Sequence, residues 1–283
     1  MTQVSIRTLL ETARSQNTGL AAFNVVLLET AQGLVRAAEE ADRPVVLQIS
    51  ENCVKYHGGL APIAAATKAL AEGSSAEVSV HLDHAEDVEL IRTAVDLGFD
   101  SVMYDGSKLP DAENRRTTRA VVEMCHAAGV AVEAELGEVG GKDGVHSPTA
   151  RTQPDEARRF VEDTGVGSLA VAVGSSHAMS SRTARLDQQL ISDLAEAVPV
   201  PLVLHGSSGV PDAELSSAIA AGMTKINIST HVNGVFTAAL RSVLEADPDL
   251  NDPRRYVGAG RSALQEETRR LIDLISAKNM GTA

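Results

Sequence analysis

Short apolar, β-branched runs alternate along this chain with longer, Ala-rich segments in which apolar and charged residues recur with helical period. The runs are GLAAFN (19–24), PVVLQIS (44–50), EVSVHLD (77–83), DSVMYD (100–105), VAVEAEL (130–136), SLAVAVG (168–174), PLVLHG (201–206) and TKINIS (224–229). Between them lie helical patterns such as ETAQGLVRAAEEA, APIAAATKALAEG, DVELIRTAVDLG, ENRRTTRAVVEMCHAAG, QPDEARRFVEDTG, QQLISDLAEAV and DAELSSAIAAG. Several close on glycine, which adopts the left-handed backbone of a helix C-cap at least cost. Near-continuous apolar strands must be covered on both faces, which predicts a parallel sheet wrapped by helices. Eight strand-helix units in one chain predict an α/β fold of the closed (β/α)8 type, a TIM barrel. A doubly wound open sheet is the rival, but it would ordinarily show fewer strands and a Gly-rich turn after the first; GLAAFNVV has none. With no low-complexity linker or clear internal repeat, residues 1–283 are expected to form a single domain. Residues 232–246 then supply the eighth barrel helix and 260–277 an extra C-terminal helix packed outside.

Composition narrows the function. At 283 residues and 43% hydrophobic the chain can bury a large core. A formal net charge of −13 argues against nucleic-acid or anionic-membrane partners, so a phosphorylated ligand would need local devices such as helix N-termini or a metal ion. Two cysteines, Cys53 and Cys125, lack any CxxC spacing and read as buried free thiols. The opening MTQVSIRTLLETARS has no signal-type apolar core, and no run approaches the ~18 residues that span a bilayer. The cytoplasm is the expected location.

In (β/α)8 enzymes chemistry gathers at the C-terminal strand ends. Read in order, those ends carry Asn24, Ser50, Asp83 with His84, Asp105, Glu135, GSSH ending at His177, HGSSG from His205, and NIST from Asn227 to Thr230. The opposite ends read mostly as Pro, Ala, Val and Gly. His84, His177 and His205 stand on three separate strands, so the fold brings three imidazoles to one mouth, as a catalytic Zn2+ with one open position requires. Any one of them alone would read as a hydrogen-bonded loop histidine. His57, His126, His146 and His231 fall in loops or helices, and His81 lies inside the third strand on the face of Asp83. Glu133 and Glu135, two apart, share a face, and two inward carboxylates need a cation or a donor in front of them.

VHLDHAED (80–87), VEAELGEVGG (132–141), SLAVAVGSSH (168–177), PLVLHGSSG (201–209) and TKINIST (224–230), in this order, resemble the class II, metal-dependent fructose-1,6-bisphosphate and tagatose-1,6-bisphosphate aldolases. The tail NDPRRYVGAGRSAL resembles that family's C-terminal segment as well. The resemblance implies Zn2+ on His84, His177 and His205, with Asp105 and Glu135 at or supporting an alternative metal position. It makes Asp83 the group that exchanges a proton with the C4 oxygen of the sugar. Asn24 belongs to the opening AFN, which the resemblance also covers. Gly206, Ser208, Asn227, Ser229 and Thr230 match the pocket for dihydroxyacetone phosphate, assisted in the family by a monovalent cation, Na+ or K+. Ser208 and Thr230 each begin a turn into a helix, where free N–H groups and the helix dipole suit a phosphate dianion. Ser50, and Arg261 from a neighbouring subunit, match positions near the second phosphate, which implies a homodimer or homotetramer.

Two stretches depart from the family pattern. HAMSSRT places Ala178 where a glycine is usual beside the phosphate and cation, with Ser180 in place of an aromatic residue and Arg182 in place of a lysine. GGKDGVHS offers Asp143 where a loop glutamate commonly moves the proton on the dihydroxyacetone phosphate carbon, which makes Asp143 the candidate for that role. The expected activity is reversible cleavage of fructose 1,6-bisphosphate, with tagatose 1,6-bisphosphate or a related phosphorylated keto-sugar as the alternative. A Schiff-base aldolase built on Lys225 would leave the three histidines unexplained. A non-catalytic metal-binding relative is the third reading, motivated by the altered proton-transfer loop.

Overall fold

The computed structural model of the chain describes residues 4–136, 151–176, 179 and 181–278. Eight strands follow one another around a closed barrel, β1 (Leu20–Asn24), β2 (Val45–Ser50), β3 (Val78–Ala85), β4 (Ser101–Tyr104), β5 (Ala131–Leu136), β6 (Ser168–Val171), β7 (Leu202–Leu204) and β8 (Met223–Ile228). Each runs parallel to the next, and β8 closes on β1 with Leu20 opposite Lys225 and Ala22 opposite Asn227. The predicted TIM barrel is therefore the fold.

The helices are α1 (Ile6–Ser15), α2 (Leu28–Ala41), α3 (Glu51–His57), α4 (Ala61–Gly73), α5 (Val88–Asp96), α6 (Asp111–Ala127), α7 (Pro154–Thr164), α8 (Gln188–Ala197), α9 (Asp212–Ala220), α10 (Thr230–Ala246) and α11 (Pro253–Ile275). Their starts are set by side chains that accept the orphan N–H groups of a first turn: Asp87 for α5, Asp187 for α8 and Asp252 for α11. Helix α3 is absent from the strand-helix pattern, yet its signals are local, with Ser50 accepting from the Cys53 N–H at one end and the left-handed Gly58 at the other.

One end of the barrel is apolar and plugged. Ile6, Leu9, Leu10 and Ala13 of α1 pack as a separate cluster on Leu20, Ala22 and Val46, the first inward residues of β1 and β2. From that floor upward the interior turns polar, through Gln48, Ser79, His81, Ser101, Glu133, Ser168 and Lys225, all buried. The open end is thus the end at which the strands finish.

Element boundaries differ from expectation in three places. Strand β3 runs to Ala85 rather than stopping at residue 83, because a bulge carries the ladder past His84. Strands β6 and β7 are shorter than predicted, since the chain leaves the sheet early to form the site loops. Helix α11 begins at Pro253, where proline costs no hydrogen bond at the first turn, well before residue 260. It also belongs to the core: Leu264, Thr268, Leu271, Ile272 and Ile275 are buried, α2 and α10 pack against it, and the Gly19 N–H donates to the Ile275 carbonyl at 2.8 Å. Leu271→Ala is expected to lower the free energy of unfolding by about 3 kcal/mol in urea titration, as for other leucine truncations in close-packed cores.

Candidate active site

The rim is organised by the end of β3. In a regular strand Asp83 and His84 would point to opposite faces. Here His84 takes a left-handed backbone, φ 49°, and the register with β4 slips between Leu82 and Ala85. Such a bulge re-aims a side chain at the cost of local strain, of order 1–3 kcal/mol for a non-glycine residue. Both side chains reach the mouth as a result. Asp83 Oδ2 accepts from Asn24 Nδ2 at 2.8 Å, and His84 Nδ1 donates to Asp105 Oδ2 at 2.8 Å. Asp105 is fixed in turn by the Ser107 N–H (3.2 Å) and hydroxyl (2.6 Å) on its other oxygen.

His205, at the end of β7, faces the same point from across the barrel. Its Nε2 lies 3.1 Å from Glu133 Oε1, and Glu133 Oε2 accepts from Lys225 Nζ at 2.8 Å. Lys225 and His205 are fully buried and Glu133 nearly so. Because carboxylates accept, the outer nitrogens His84 Nδ1 and His205 Nε2 carry the protons. That assignment leaves His84 Nε2 and His205 Nδ1 with their lone pairs turned toward each other, 2.9 Å apart. Glu135 Oε2 stands 3.4 Å from the same His205 nitrogen.

Two facing lone pairs ringed by carboxylates are what a divalent cation satisfies. Asp83, His84 and His205, and likewise His84, Asp105 and Glu135, each offer ligand atoms within 4.8 Å of one another. Among the described residues the buried charges at this rim are Asp83, Asp105, Glu133 and Glu135 against Lys225, a net three negative before any metal. Nitrogen and oxygen donors of this kind suit zinc and its first-row neighbours, and the outer carboxylates lock the ligand tautomers.

The electrostatics follow from burial and proximity. Burial alone would raise the Asp83 carboxyl, but His84, His205, His81 and Lys225 outweigh it and hold it down to about 2. Glu133 is likewise driven well below the ordinary carboxylate range, burial being overcome chiefly by Lys225 and then His205. His205 is lowered by burial and by His84. His81, buried and bonded through Nδ1 to Ser101 Oγ at 2.7 Å, falls to about 3, first by burial and then by Lys225.

The remaining predicted residues surround this centre. Asn24 also accepts from Gln48, at 3.4 Å, so Gln48 supports the residue that holds Asp83. The Ser50 hydroxyl accepts from the Cys53 N–H while Ser50 pairs in register with Asp83. Gly206 has φ 68°, and a side chain there would drive its Cβ to 2.7 Å from the Ser176 backbone. Ser208 Oγ accepts from both the Ser229 and His231 N–H groups at 3.2 Å, tying the turn after β7 to the start of α10, whose first residue is Thr230. Asn227 Oδ1 is buried with no partner among the described residues. Arg261 is on α11 and donates to Gln32 Oε1 of its own chain at 2.8 Å. His177, Ala178 and Asp143 lie outside the described residues. The sequence offered Glu133 as sharing a face with Glu135 and Lys225 only as the lysine of a Schiff-base alternative; Gln48 and Ser107 were missed, although alternation in VVLQIS puts Gln48 on the face of Ser50.

A (β/α)8 barrel whose rim gathers imidazoles and carboxylates able to hold a cation has the form of a metal-dependent barrel enzyme. Residues 4–280 match the sequence profile of the class-II fructose-bisphosphate aldolases, and the chain belongs to that family. It is accordingly a lyase. The crystal structure of the YdjI aldolase from Escherichia coli K12 superposes with a TM-score of 0.85 at 32% identity, over 98% of each chain. A provisionally assigned fructose-1,6-bisphosphate aldolase from Coccidioides immitis gives 0.86 at 31% identity over 96% of each. Fructose-bisphosphate aldolase from Campylobacter jejuni, at 23% identity and a TM-score of 0.81 over 97% of this chain and 95% of its own, shares the fold.

Two outcomes test this geometry. Lys225→Met leaves the Glu133 charge buried and unpaired and should cost about 3–5 kcal/mol in chemical denaturation, while Glu133→Gln should weaken metal binding about 10–100-fold in a chelator competition. The second concerns acid. His81 stays neutral in the folded protein down to about 3, whereas the unfolded chain takes up a proton near its ordinary 6.5. Below that value the unfolded state binds more protons, so stability falls with pH from about 6.5 to 3. Melting temperatures of His81→Gln should fall less steeply across that window than those of the parent protein.

Proposed function

We propose that this chain is a zinc-dependent ketose-bisphosphate aldolase, acting on fructose 1,6-bisphosphate to give dihydroxyacetone phosphate and glyceraldehyde 3-phosphate. The observation that carries the reading is the state of Asp83: buried, ionised, held through one oxygen by Asn24, and with its other oxygen, Oδ1, lacking any hydrogen-bond partner among the described residues. A carboxylate oxygen so prepared beside a metal-binding pair of imidazoles suits removal of a proton from the C4 hydroxyl.

His84, His205 and, by resemblance, His177 would hold Zn2+, with Asp105 and Glu135 supporting an alternative position. The ion when bound supplies Lewis-acid stabilisation of the negative charge that develops on the ketone half. In the cleavage direction Asp83 takes the C4 hydroxyl proton, the C3–C4 bond breaks to release the aldehyde, and its electron pair passes into the enediolate of dihydroxyacetone phosphate. A proton delivered to C3 then completes the ketone, and Asp143 is the proposed donor. Reversal uses the same groups, with Asp83 returning its proton to the new C4 oxygen.

The phosphates fix the reacting carbons in place of free diffusion. Gly206, Ser208, Asn227, Ser229 and Thr230 form the proposed pocket for the ketone-side phosphate, with the backbone at Ala178 and a monovalent cation, Na+ or K+, completing it. Ser50 and the Arg261 of an adjoining subunit are assigned to the second phosphate, in a homodimer or homotetramer. The chain would work as one domain in the cytoplasm. Tagatose 1,6-bisphosphate, or a related phosphorylated keto-sugar, is the alternative substrate, since the two bisphosphates differ only at the carbon facing Asp83. Lys225 does not favour the Schiff-base reading, because its ammonium is engaged by Glu133 deep below the rim.

A coupled assay with zinc-loaded protein should show cleavage of fructose 1,6-bisphosphate that a chelator abolishes and zinc restores. Asp83→Asn should lower kcat by about 10²–10⁴-fold with zinc still bound. Activity that persists without metal and is trapped by borohydride would sink the reading, and equal rates on a monophosphate analogue would remove the second phosphate site.

A further inference from the structure

Two described segments carry residues assigned to the ketone-side phosphate, the 3-10 turn Ser207–Gly209 after β7 and the start of α10 after β8, and residues 181–187 lie beside the first, with the Ala184 N–H donating to the Gly209 carbonyl at 2.9 Å. A continuous run of charged side chains joins these segments through α11. Arg182, in the loop after β6, donates from Nε (2.9 Å) and Nη2 (2.6 Å) to the Val210 carbonyl, and the same Nη2 is 2.6 Å from Asp212 Oδ1. Asp212 Oδ2 accepts from Arg270 Nη1 at 2.6 Å. Arg270 then grips Glu267 with a fork, Nε to Oε2 at 2.8 Å and Nη2 to Oε1 at 2.7 Å. Glu267 Oε1 meets His231 Nε2 at 2.7 Å, and the His231 backbone N–H donates to Ser208 Oγ. The run thus starts beside the turn after β7 and returns to it.

We propose that Arg182, Asp212, Arg270, Glu267 and His231 are positioning residues that set the spacing of the turn after β7 and the start of α10, with α11 as the strut against which they are held. The proposal rests on the phosphate pocket assigned above. Each pair is partly exposed, so as stability contributors these contacts are worth little. Their geometry is more specific than stability requires: Arg182 meets a loop carbonyl and a helix-start carboxylate together, and Arg270 spans α9 and its own helix with one guanidinium. Arg182 stands where the family usually has lysine, and a lysine could not make this planar double contact. Close packing between the loops leaves no slack, since a Cβ on Gly209 would sit 2.5 Å from Met179 Cβ. Arg182 is consequently a brace for the loop after β7, and the phosphate charge is met by N–H groups and hydroxyls.

The test is made on the full-length, zinc-loaded protein with Glu267→Gln, Asp212→Asn and the double variant. Calorimetric binding of inorganic phosphate and of dihydroxyacetone phosphate is read beside zinc affinity, melting temperature and the kcat and KM of cleavage. The expected result is a loss of about tenfold in affinity for both phosphates and a matching rise in KM, with kcat and zinc affinity within twofold and a small shift in melting temperature. The double variant should lose no more than the worse single one, because the residues act as one chain. Unchanged phosphate affinity in the variants overturns the positioning role. A fall in melting temperature with loss of zinc, phosphate affinity following only from that loss, overturns it in favour of a purely structural role. A parent protein that binds zinc but neither phosphate overturns the pocket assignment itself and this proposal with it.

Discussion

Negative charge buried at one end of the barrel is the constraint on which the rest of the structure depends. Asp83, Asp105, Glu133 and Glu135 are each 5% exposed or less. An isolated carboxylate cannot be kept ionised in such a place, so each must have donors or a cation before the barrel can close over it. Lys225 answers for Glu133, Asn24 for one oxygen of Asp83, and Ser107 with His84 for Asp105. What these partners leave unanswered is concentrated between His84 and His205. The candidate metal site and the charge balance of the fold are therefore one problem: a cation held between these groups would also relieve the repulsion among them.

The same constraint explains the unusual backbone at His84. A flat β3 would send Asp83 inward and His84 outward, separating two neighbours of the candidate metal cluster. The bulge with φ 49° brings both to the mouth, and the strain is sustained because Asp105, clamped by its own loop, holds the ring from one side. The rigid floor contributes too. With α1 filling the apolar end and α11 packed against α2 and α10, polar groups near the rim cannot relax by letting the barrel breathe at its base.

Much of this was legible in the chain. Runs apolar on both faces specify a covered parallel sheet, and the polar residue at each run's end marks the mouth where polar groups gather; Asn24, Asp83, Asp105, Glu135 and His205 lie together there. Features that failed to show were those fixed by tertiary geometry. HLDHAED carries no glycine to mark a left-handed residue, and histidine, though enriched there among non-glycine residues, is too seldom left-handed to signal one. The early ends of β6 and β7 arise because the following residues are claimed by loops: the Thr152 hydroxyl accepts from the Ala172 N–H, and Gly206 must approach Ser176. Hydrophobic pattern cannot distinguish such runs from strand continuations. Helix α11 was placed too late, at residue 260 rather than Pro253; Gly260 lies within it where Phe236 of α10 leaves no room for a side chain, so its glycine serves packing rather than a turn.

The fate of Lys225 shows how one residue type is assigned its chemistry by surroundings. A lysine inside a barrel could act as a nucleophile only if it shed its proton, which requires desolvation without a nearby anion, or a neighbouring cation. Lys225 is fully buried and its Nζ donates to Glu133 Oε2 at 2.8 Å. Glu133 has a second obligation: its other oxygen faces His205 Nε2 at 3.1 Å. Replacing the lysine by an uncharged residue would leave a buried carboxylate bonded, among the described residues, to an imidazole and the more distant Ser168. The surroundings thus give Lys225 an electrostatic place beside His205, while Asp83 has one oxygen held by Asn24 and the other without a hydrogen-bond partner among the described residues.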